Sequence, residues 1–190
     1  VHLVIVGFGM MGQSIALQAA KVGHFANGKR LRLTVVDRQA DARQRSFMAR
    51  YPYFSSVCDI QFVQSEFESG DFFRELRQWS GAADTLLSVA ICLDDDSASL
   101  RCALALGAQL AGTAVPLFVR MEEVAGLAAL VKRQHESTRL LHHVHAFGQI
   151  DLAASLSRWI KPGQDKLAKA THKRFRELRA AEERPATDPS

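Results

Sequence analysis

Short runs of apolar residues alternate along the chain with longer stretches whose apolar residues recur at helical spacing. Residues 1–6 form an apolar, largely β-branched run that ends at glycine, which is typical of a buried strand. Residues 10–22 then place Met11, Ile15 and Ala19 on one helical face. The pattern predicts strands at 1–6, 31–36, 60–63, 85–93, 115–119 and 140–145. It predicts helices at 10–22, 41–50, 71–79, 94–110, 122–134 and 150–159, and a charged terminal helix at 165–183.

This alternation of strands and helices predicts the architecture. Parallel strands joined through helices form right-handed crossovers, and the helices then cover both faces of the sheet. Six predicted strands with a glycine loop after the first indicate a Rossmann-like, doubly wound parallel α/β sheet of order 3-2-1-4-5-6. We predict a nucleotide-binding domain over residues 1–157 and a basic helical extension over 158–190, with a break near Lys161-Pro162-Gly163.

Composition and charge narrow the classes of function. The 190 residues are 47% hydrophobic and 23% charged, which is typical of a globular chain. No run of about 18 apolar residues and no signal peptide is visible, so we expect a cytoplasmic protein. The net charge of +4 comes from the tail, where residues 158–184 hold nine Lys/Arg against four Asp/Glu. Such a tail can attract phosphates, nucleic acid or an anionic membrane, but a solvated helix face explains it as well, and we expect no specific nucleic-acid partner.

The three cysteines predict no chemistry of their own. Cys58, Cys92 and Cys102 are an odd number and show no CxxC spacing. Two of them lie in apolar stretches, so we expect buried, reduced thiols.

Residues 7–12 read Gly-Phe-Gly-Met-Met-Gly, the GxGxxG pattern that binds dinucleotides when it follows a strand and opens a helix. The first glycine permits the tight turn, the second lets a pyrophosphate approach the backbone, and the third lets helix and strand pack closely. The phosphates then lie against free N–H groups at the positive end of the helix. A tight turn without a ligand is the alternative. The motif supplies six candidate binding residues: Gly7, Phe8, Gly9, Met10, Met11 and Gly12.

An acidic residue ends the second predicted strand. Asp37 can accept hydrogen bonds from ribose hydroxyls and repel a 2′-phosphate, which favours NAD(H), or another unphosphorylated adenosine ribose, over NADP. It follows Gly12 at a longer distance than the usual ~20 residues, and the excess lies in the polar turn 25–30. Arg38 can stack on adenine or neutralise a phosphate, or it is a solvated arginine.

Three further groups lie near strand ends. Asp94, Asp95 and Asp96 follow the fourth strand and can bind a cation or a ribose, although helix capping is the simpler interpretation. Arg120 ends the fifth strand, where it can reach a ligand phosphate or a partner subunit, or lie on the surface. The histidines at positions 142, 143 and 145 lack adjacent acidic or cysteine ligands, so we predict no metal site.

No catalytic constellation is visible in the sequence. The predicted fold is complete by about residue 145, and what remains is one or two helices rather than a substrate domain. No GxSxG, HExxH or P-loop pattern occurs. We therefore predict no catalytic residues and expect that the protein is not an enzyme.

The domain resembles the RCK (regulator of potassium conductance), or TrkA-N, family over about residues 1–155. The resemblance is carried by VIVGFGMMGQS at 4–14, VVDR at 35–38, LLSVAICLDDDSASLRCAL at 86–104 and PLFVR at 116–120. It implies a cytoplasmic homodimer or larger ring, attached to an ion channel or transporter that it gates by binding NAD(H), or ATP, ADP or AMP. It also implies that Gly7, Gly9, Gly12 and Asp37 form the pocket. By the same match, Ala90, Ile91, Cys92 and Arg120 line it.

This sequence departs from the family in two places. The turn before the second strand is long, and residues 62–66 lack the Gly-Asp pair that often follows the third strand. Residues 168–190 also resemble the opening of a ryanodine-receptor-type (RyR) repeat, although an ordinary amphipathic helix explains them equally well.

The leading hypothesis is a nucleotide-sensing regulatory domain for potassium or other ion transport. Two alternatives stay open at this point. One is the cofactor-binding half of an NAD-dependent oxidoreductase, and the other is a Rossmann scaffold that serves only dimerisation.

Overall fold

The computed structural model describes residues 1–23, 28–82, 84–122 and 143–148, all within one compact unit, Val1–Gln149. Its strands are β1 (His2–Val6), β2 (Leu31–Asp37), β3 (Cys58–Gln64), β4 (Leu87–Ile91), β5 (Leu117–Arg120) and β6 (Val144–Phe147). Its helices are α1 (Met10–Val22), α2 (Ala40–Arg50), α3 (Phe54–Val57), α4 (Gly70–Ser80) and α5 (Asp96–Gln109).

The six described strands form one parallel sheet in the order β3-β2-β1-β4-β5-β6. The chain winds from β1 outward to β3, crosses back, and continues from β4 to β6, so the direction of winding reverses between β1 and β4. This confirms the predicted Rossmann-like α/β fold and its strand order. In such sheets a crevice opens at the carboxyl ends of the strands where the winding reverses.

Two hydrophobic cores flank the sheet because side chains alternate between its faces. On one face, Val4, Val89 and Leu117 pack against α4 and α5 through residues such as Leu76 and Leu106. On the other face, buried residues of α1, α2 and the strands form the second core, which includes Ile5, Ala16, Leu33, Val35 and Phe47. Burial on both faces explains why β1 and β4 are almost continuously apolar in sequence.

Several boundaries differ from the prediction for local reasons. The short helix α3 was not predicted, because Ser55 and Ser56 give it too little apolar periodicity. The last described strand extends to Phe147 instead of ending at 145, since the Leu117 N–H donates to the His143 carbonyl and the Met121 N–H donates to the Phe147 carbonyl.

The predicted helices at 122–134 and 150–159, the 158–190 extension, the domain boundary and the RyR-like segment lie outside the described residues. None of the described helices is long and apolar enough to cross a bilayer.

The three cysteines are buried and free, as predicted. Burial raises the pKa of the Cys58 thiol to about 11 and that of Cys92 to about 12, and it raises the pKa of Cys102 further still. The thiolate is the reactive form, so burial disfavours reaction at these thiols.

His2 is a buried ionisable residue that the sequence pattern did not single out. It is 1% exposed, its Nε2 lies 2.8 Å from the Thr34 hydroxyl, and its ring packs edge-on against Trp79. Its Nδ1 has no hydrogen-bond partner among the described residues. Burial, reinforced by the nearby positive charge of Arg32, lowers the pKa of His2 to about 4.

We expect this residue to make the fold sensitive to acid. Between pH 6.5 and 4 the unfolded chain protonates His2 while the folded chain does not, so the stabilisation is complete above pH 6.5 and is lost as the pH falls toward 4. The free energy of unfolding should fall by up to about 3 kcal/mol over this range. Urea denaturation at several pH values, on the wild type and on His2→Gln, measures it. Parallel pH curves for the two proteins would contradict the assignment.

Candidate functional site

A cleft of about 710 Å³ lies at the carboxyl ends of β1, β2 and β4, where the winding of the sheet reverses. Its size falls within the range of about 300–1,000 Å³ that is usual for small-molecule sites. Five chain segments line it: the glycine turn after β1, the end of β2 with the start of α2, the loop after β3, the loop after β4, and the start of α5. The topology therefore brings the predicted glycine motif and Asp37 to one site.

Two of the motif glycines are required by close packing. Gly7 has a φ of +88°, and a Cβ there would lie 2.9 Å from the Cys92 carbonyl oxygen. A Cβ at Gly12 would lie only 2.3 Å from the carbonyl oxygen of Gly7, inside any possible van der Waals contact. The first and third glycines thus let α1 leave β1 in a tight turn, as the sequence predicted.

Gly9 has a different role, because the space above it is open. A Cβ there would meet only the exposed carboxylate of Asp94, at 3.5 Å from Oδ1. Gly9 is also the N-cap of α1, which no side chain of the described residues caps and whose first turn holds no acidic residue. The N-terminal N–H groups of α1 are therefore available to an anion that reaches the backbone through this opening.

The remaining motif residues support the turn rather than line the cleft with side chains. Phe8 is fully buried and makes edge-to-face contacts with Phe47 and Phe62, so only its backbone faces the site. Met10 is 87% exposed, and Met11 packs against the core beside α1. Neither methionine is part of the described lining of the cleft.

Asp37 joins the glycine turn to the end of β2. Its Oδ2 accepts a hydrogen bond from the Phe8 N–H at 2.8 Å, and its Oδ1 accepts one from the Gln39 N–H at 2.8 Å. The side chain keeps 13% of its surface exposed in the cleft, so unused lone pairs can still accept from a ligand hydroxyl. Asp37 therefore fixes the shape of the turn and keeps acceptor capacity for a ligand hydroxyl.

Arginines flank Asp37 on the cleft wall. Arg38 is exposed and lines the cleft, as expected of a residue that follows the strand end. Arg43, on α2, places its Nε 3.9 Å from Asp37 Oδ2, and this buried nitrogen has no hydrogen-bond partner among the described residues. The sequence did not predict Arg43 as a residue of the cleft. Its position in the first turn of α2, the helix that follows the end of β2, was the signal that could have indicated it.

The end of β4 contributes less to the cleft than the resemblance implied. Cys92 lines the cleft, but Ile91 is fully buried in the core that faces α5. Ala90 points to the opposite face, where it lines a separate apolar groove of about 450 Å³ with Leu3, Phe118 and other residues. Strand alternation puts Ile91 on the other face from Ala90 and Cys92, and of these two only Cys92 lies past the end of β4, where the cleft is.

Arg120 lies near the cleft but is held by other protein groups. Its guanidinium donates to the Leu93 carbonyl oxygen at 3.0 Å, pairs with Glu122 and lies 3.6 Å from Asp94 Oδ1. Its side chain is 14% exposed and is not part of the described lining. In this arrangement it braces the loop after β4 instead of facing the cleft.

One of the three acidic residues after β4 caps the next helix, as predicted. Asp95 is the N-cap of α5, and its Oδ1 accepts a hydrogen bond from the Ala98 N–H at 2.6 Å. Asp96 accepts a hydrogen bond from the Glu122 N–H. The side chain of Asp94 is 88% exposed and faces the cleft above Gly9.

No metal cluster is evident in the part of the chain that the structure describes, where no three His, Cys, Asp or Glu side chains converge. His145 packs against the ring of Phe118, and His143 is exposed beside it. Residue 142 lies outside the described ranges.

Two lining segments were not predicted from the sequence. The loop after β3 contributes Ser65, Glu66, Phe67 and Glu68, and α5 contributes Arg101. Both follow a strand end at the same edge of the sheet, which is a positional signal that residue type alone did not supply.

The sequence matches no family model and no curated protein. Among solved structures, it is similar to a bulky-bulky ketone specific alcohol dehydrogenase from Comamonas testosteroni. The identity is 13% and the TM-score 0.45, over 99% of this chain and 96% of that one. A likeness of this degree says nothing about substrate or reaction.

Proposed function

We propose that this domain is a nucleotide sensor that binds NAD(H) in the cleft and regulates a membrane transport module in the same or a partner chain. The observation that carries the proposal is the pairing of an uncapped helix N-terminus, opened by Gly9, with a carboxylate at the end of β2. The first feature suits a pyrophosphate and the second suits a ribose without a 2′-phosphate.

The regulatory part of the proposal rests on the resemblance to RCK/TrkA-N domains. Those domains are cytoplasmic, assemble as dimers or rings, and transmit nucleotide binding to ion transport. A bound nucleotide shifts such an assembly only by the difference in its affinity for the two states. ATP, ADP and AMP share the adenosine and phosphate groups, so they are the competing ligands to test.

A titration of the full chain tests the binding step. We expect NAD or NADH to bind more tightly than NADP, ATP, ADP or AMP. Asp37→Ala should raise the dissociation constant of the preferred nucleotide by about tenfold or more, because hydrogen bonds to a charged group are lost. Asp37→Ala also leaves the Phe8 N–H without its hydrogen-bond acceptor, which costs about 1–3 kcal/mol of stability. Binding is therefore measured well below the melting temperature.

Asp41→Ala is the matched control, because Asp41 is an exposed acidic residue on the first turn of α2 outside the described cleft lining. It should leave nucleotide affinity unchanged. Equal weakening by both substitutions would contradict the role of Asp37. Hydride transfer catalysed by the full-length protein would contradict the sensor and favour the oxidoreductase.

A further inference from the structure

The cleft has two ends, one at β2 and one at β4, and acidic side chains line both of them. At the β2 end, Asp37 lines the cleft together with Arg38 and Arg43, and the loop after β3 adds Glu66 and Glu68. At the β4 end, the lining carboxylates are those of Asp94 and Asp95, with the guanidinium of Arg101 in the same lining.

Asp94 is the carboxylate of this group that stands closest to the glycine turn. Its two carboxylate oxygens lie 3.5 and 3.7 Å from the position of a Cβ on Gly9, directly over the opening to the helix N-terminus. Its side chain is 88% exposed. Arg120 offsets this charge only in part, because it also pairs with Glu122 and lies 3.6 Å from Asp94.

The proposed function fixes how a dinucleotide would lie across these two ends, and this inference rests on it. With the adenosine ribose at Asp37 and the pyrophosphate at Gly9, the second nucleoside extends over the carboxyl end of β4. That path brings the second base to the side of the cleft where Asp94 lies. The charge on that base then matters.

We propose that Asp94 is a specificity-determining residue that makes the site favour oxidised NAD⁺ over NADH. The nicotinamide ring is a cation in NAD⁺ and neutral in NADH, while the rest of the molecule is the same. A carboxylate beside the ring attracts the cation and has no such attraction for the reduced ring. The cleft then distinguishes the redox state of the nucleotide by charge alone, without transferring a hydride.

The size of the preference follows from screening. A single charge interaction in a water-exposed cleft is weak, and it corresponds to about a three- to tenfold difference in affinity. Because the carboxylate is exposed, salt should reduce this difference toward unity. The same carboxylate repels a terminal phosphate, so ATP should bind more weakly than NAD⁺.

Calorimetric titration of the full chain with NAD⁺ and with NADH, at low and at high salt, tests the proposal. The wild type should bind NAD⁺ about three- to tenfold more tightly than NADH at low salt. Asp94→Asn should bring the ratio of the two dissociation constants to about one to twofold. The ratio is the informative quantity, since relief of pyrophosphate repulsion strengthens both ligands equally.

Asp71→Asn is the matched control, because it changes the net charge identically at an exposed position on α4 outside the described lining. It should keep the wild-type ratio. Equal or tighter binding of NADH by the wild type, or a ratio that Asp94→Asn leaves unchanged, overturns the role of Asp94 while the proposed function stands. Failure of every nucleotide to bind the wild type overturns both.

Discussion

Gly12→Ala should destabilise the fold by about 3 kcal/mol and lower the melting temperature by about 10 °C. The new Cβ would lie 2.3 Å from the carbonyl oxygen of Gly7 and 3.3 Å from Ile5, so α1 must move away from β1. Alanine is the better helix former by about 1 kcal/mol, but this gain is smaller than the cost of forcing the backbone apart. Thermal and urea unfolding measure the loss.

Gly70→Ala is the control for this substitution. Gly70 begins α4, and a Cβ there meets no described atom within 4 Å. The Gly70→Ala protein should therefore be as stable as the wild type or slightly more stable. A Gly12→Ala protein as stable as the Gly70→Ala protein would show that α1 can move without cost. The close contact of helix and strand would then not be what requires glycine.

Gly9→Asp should abolish nucleotide binding, with a loss of a hundredfold or more, while the fold remains intact. Aspartate is a favoured N-cap residue, so its carboxylate would accept hydrogen bonds from the N–H groups that a pyrophosphate needs. It would also place a negative charge where the phosphates approach. The helix cap and the repulsion from nearby Asp94 act on stability in opposite directions, so we expect a change within about 1 kcal/mol.

The same substitution at the start of another helix separates these effects. Gly70→Asp adds an acidic residue to the first turn of α4, outside the described cleft, and should leave nucleotide affinity unchanged. Titration calorimetry and thermal unfolding of both variants make the comparison. If Gly9→Asp binds nucleotide as the wild type does, the helix N-terminus is not the phosphate site.

Together, these two substitutions assign different functions to glycines only three positions apart. At Gly12, the space that a side chain would need is occupied by the backbone of its own turn. At Gly9, this space opens into the cleft. Loss of stability at one and loss of binding at the other is the expected pattern for a nucleotide site. A scaffold that serves only dimerisation would show the first effect without the second.

The periodicity of the sequence was sufficient for the order of the sheet and for most helix and strand positions. A strand buried on both faces must be apolar throughout, and a parallel connection allows only one handedness, so these local patterns leave few topologies. The roles of Gly7 and Gly12 and the capping role of the acidic run also followed from sequence. For Gly12 and the helix cap, the contacting atoms are close neighbours along the chain or lie within one βα unit. For Gly7, the positive φ of the turn is the local requirement, and the contact with Cys92 came only with the assembled sheet.

Only the tertiary structure determined which residues line the cleft and which charged groups pair across the sheet. The family resemblance placed Ala90, Ile91 and Cys92 together at the cleft, yet only Cys92 lines it. Strand alternation turns Ile91 to the other face, and Ala90 lies within the strand, beside the apolar groove. Arg120 pairs with groups on the β4 loop and with Glu122. Several carboxylates are near the end of β5 in sequence or in space, and charge alone does not predict which of them Arg120 contacts. Arg43 beside Asp37 and the carboxylate of Asp94 above Gly9 depend on how α2 and the β4 loop pack onto the strand ends. Distances between elements are set by the packing of both cores, so the sequence determined the fold and the turn, and the assembled sheet determined which charges face the cleft.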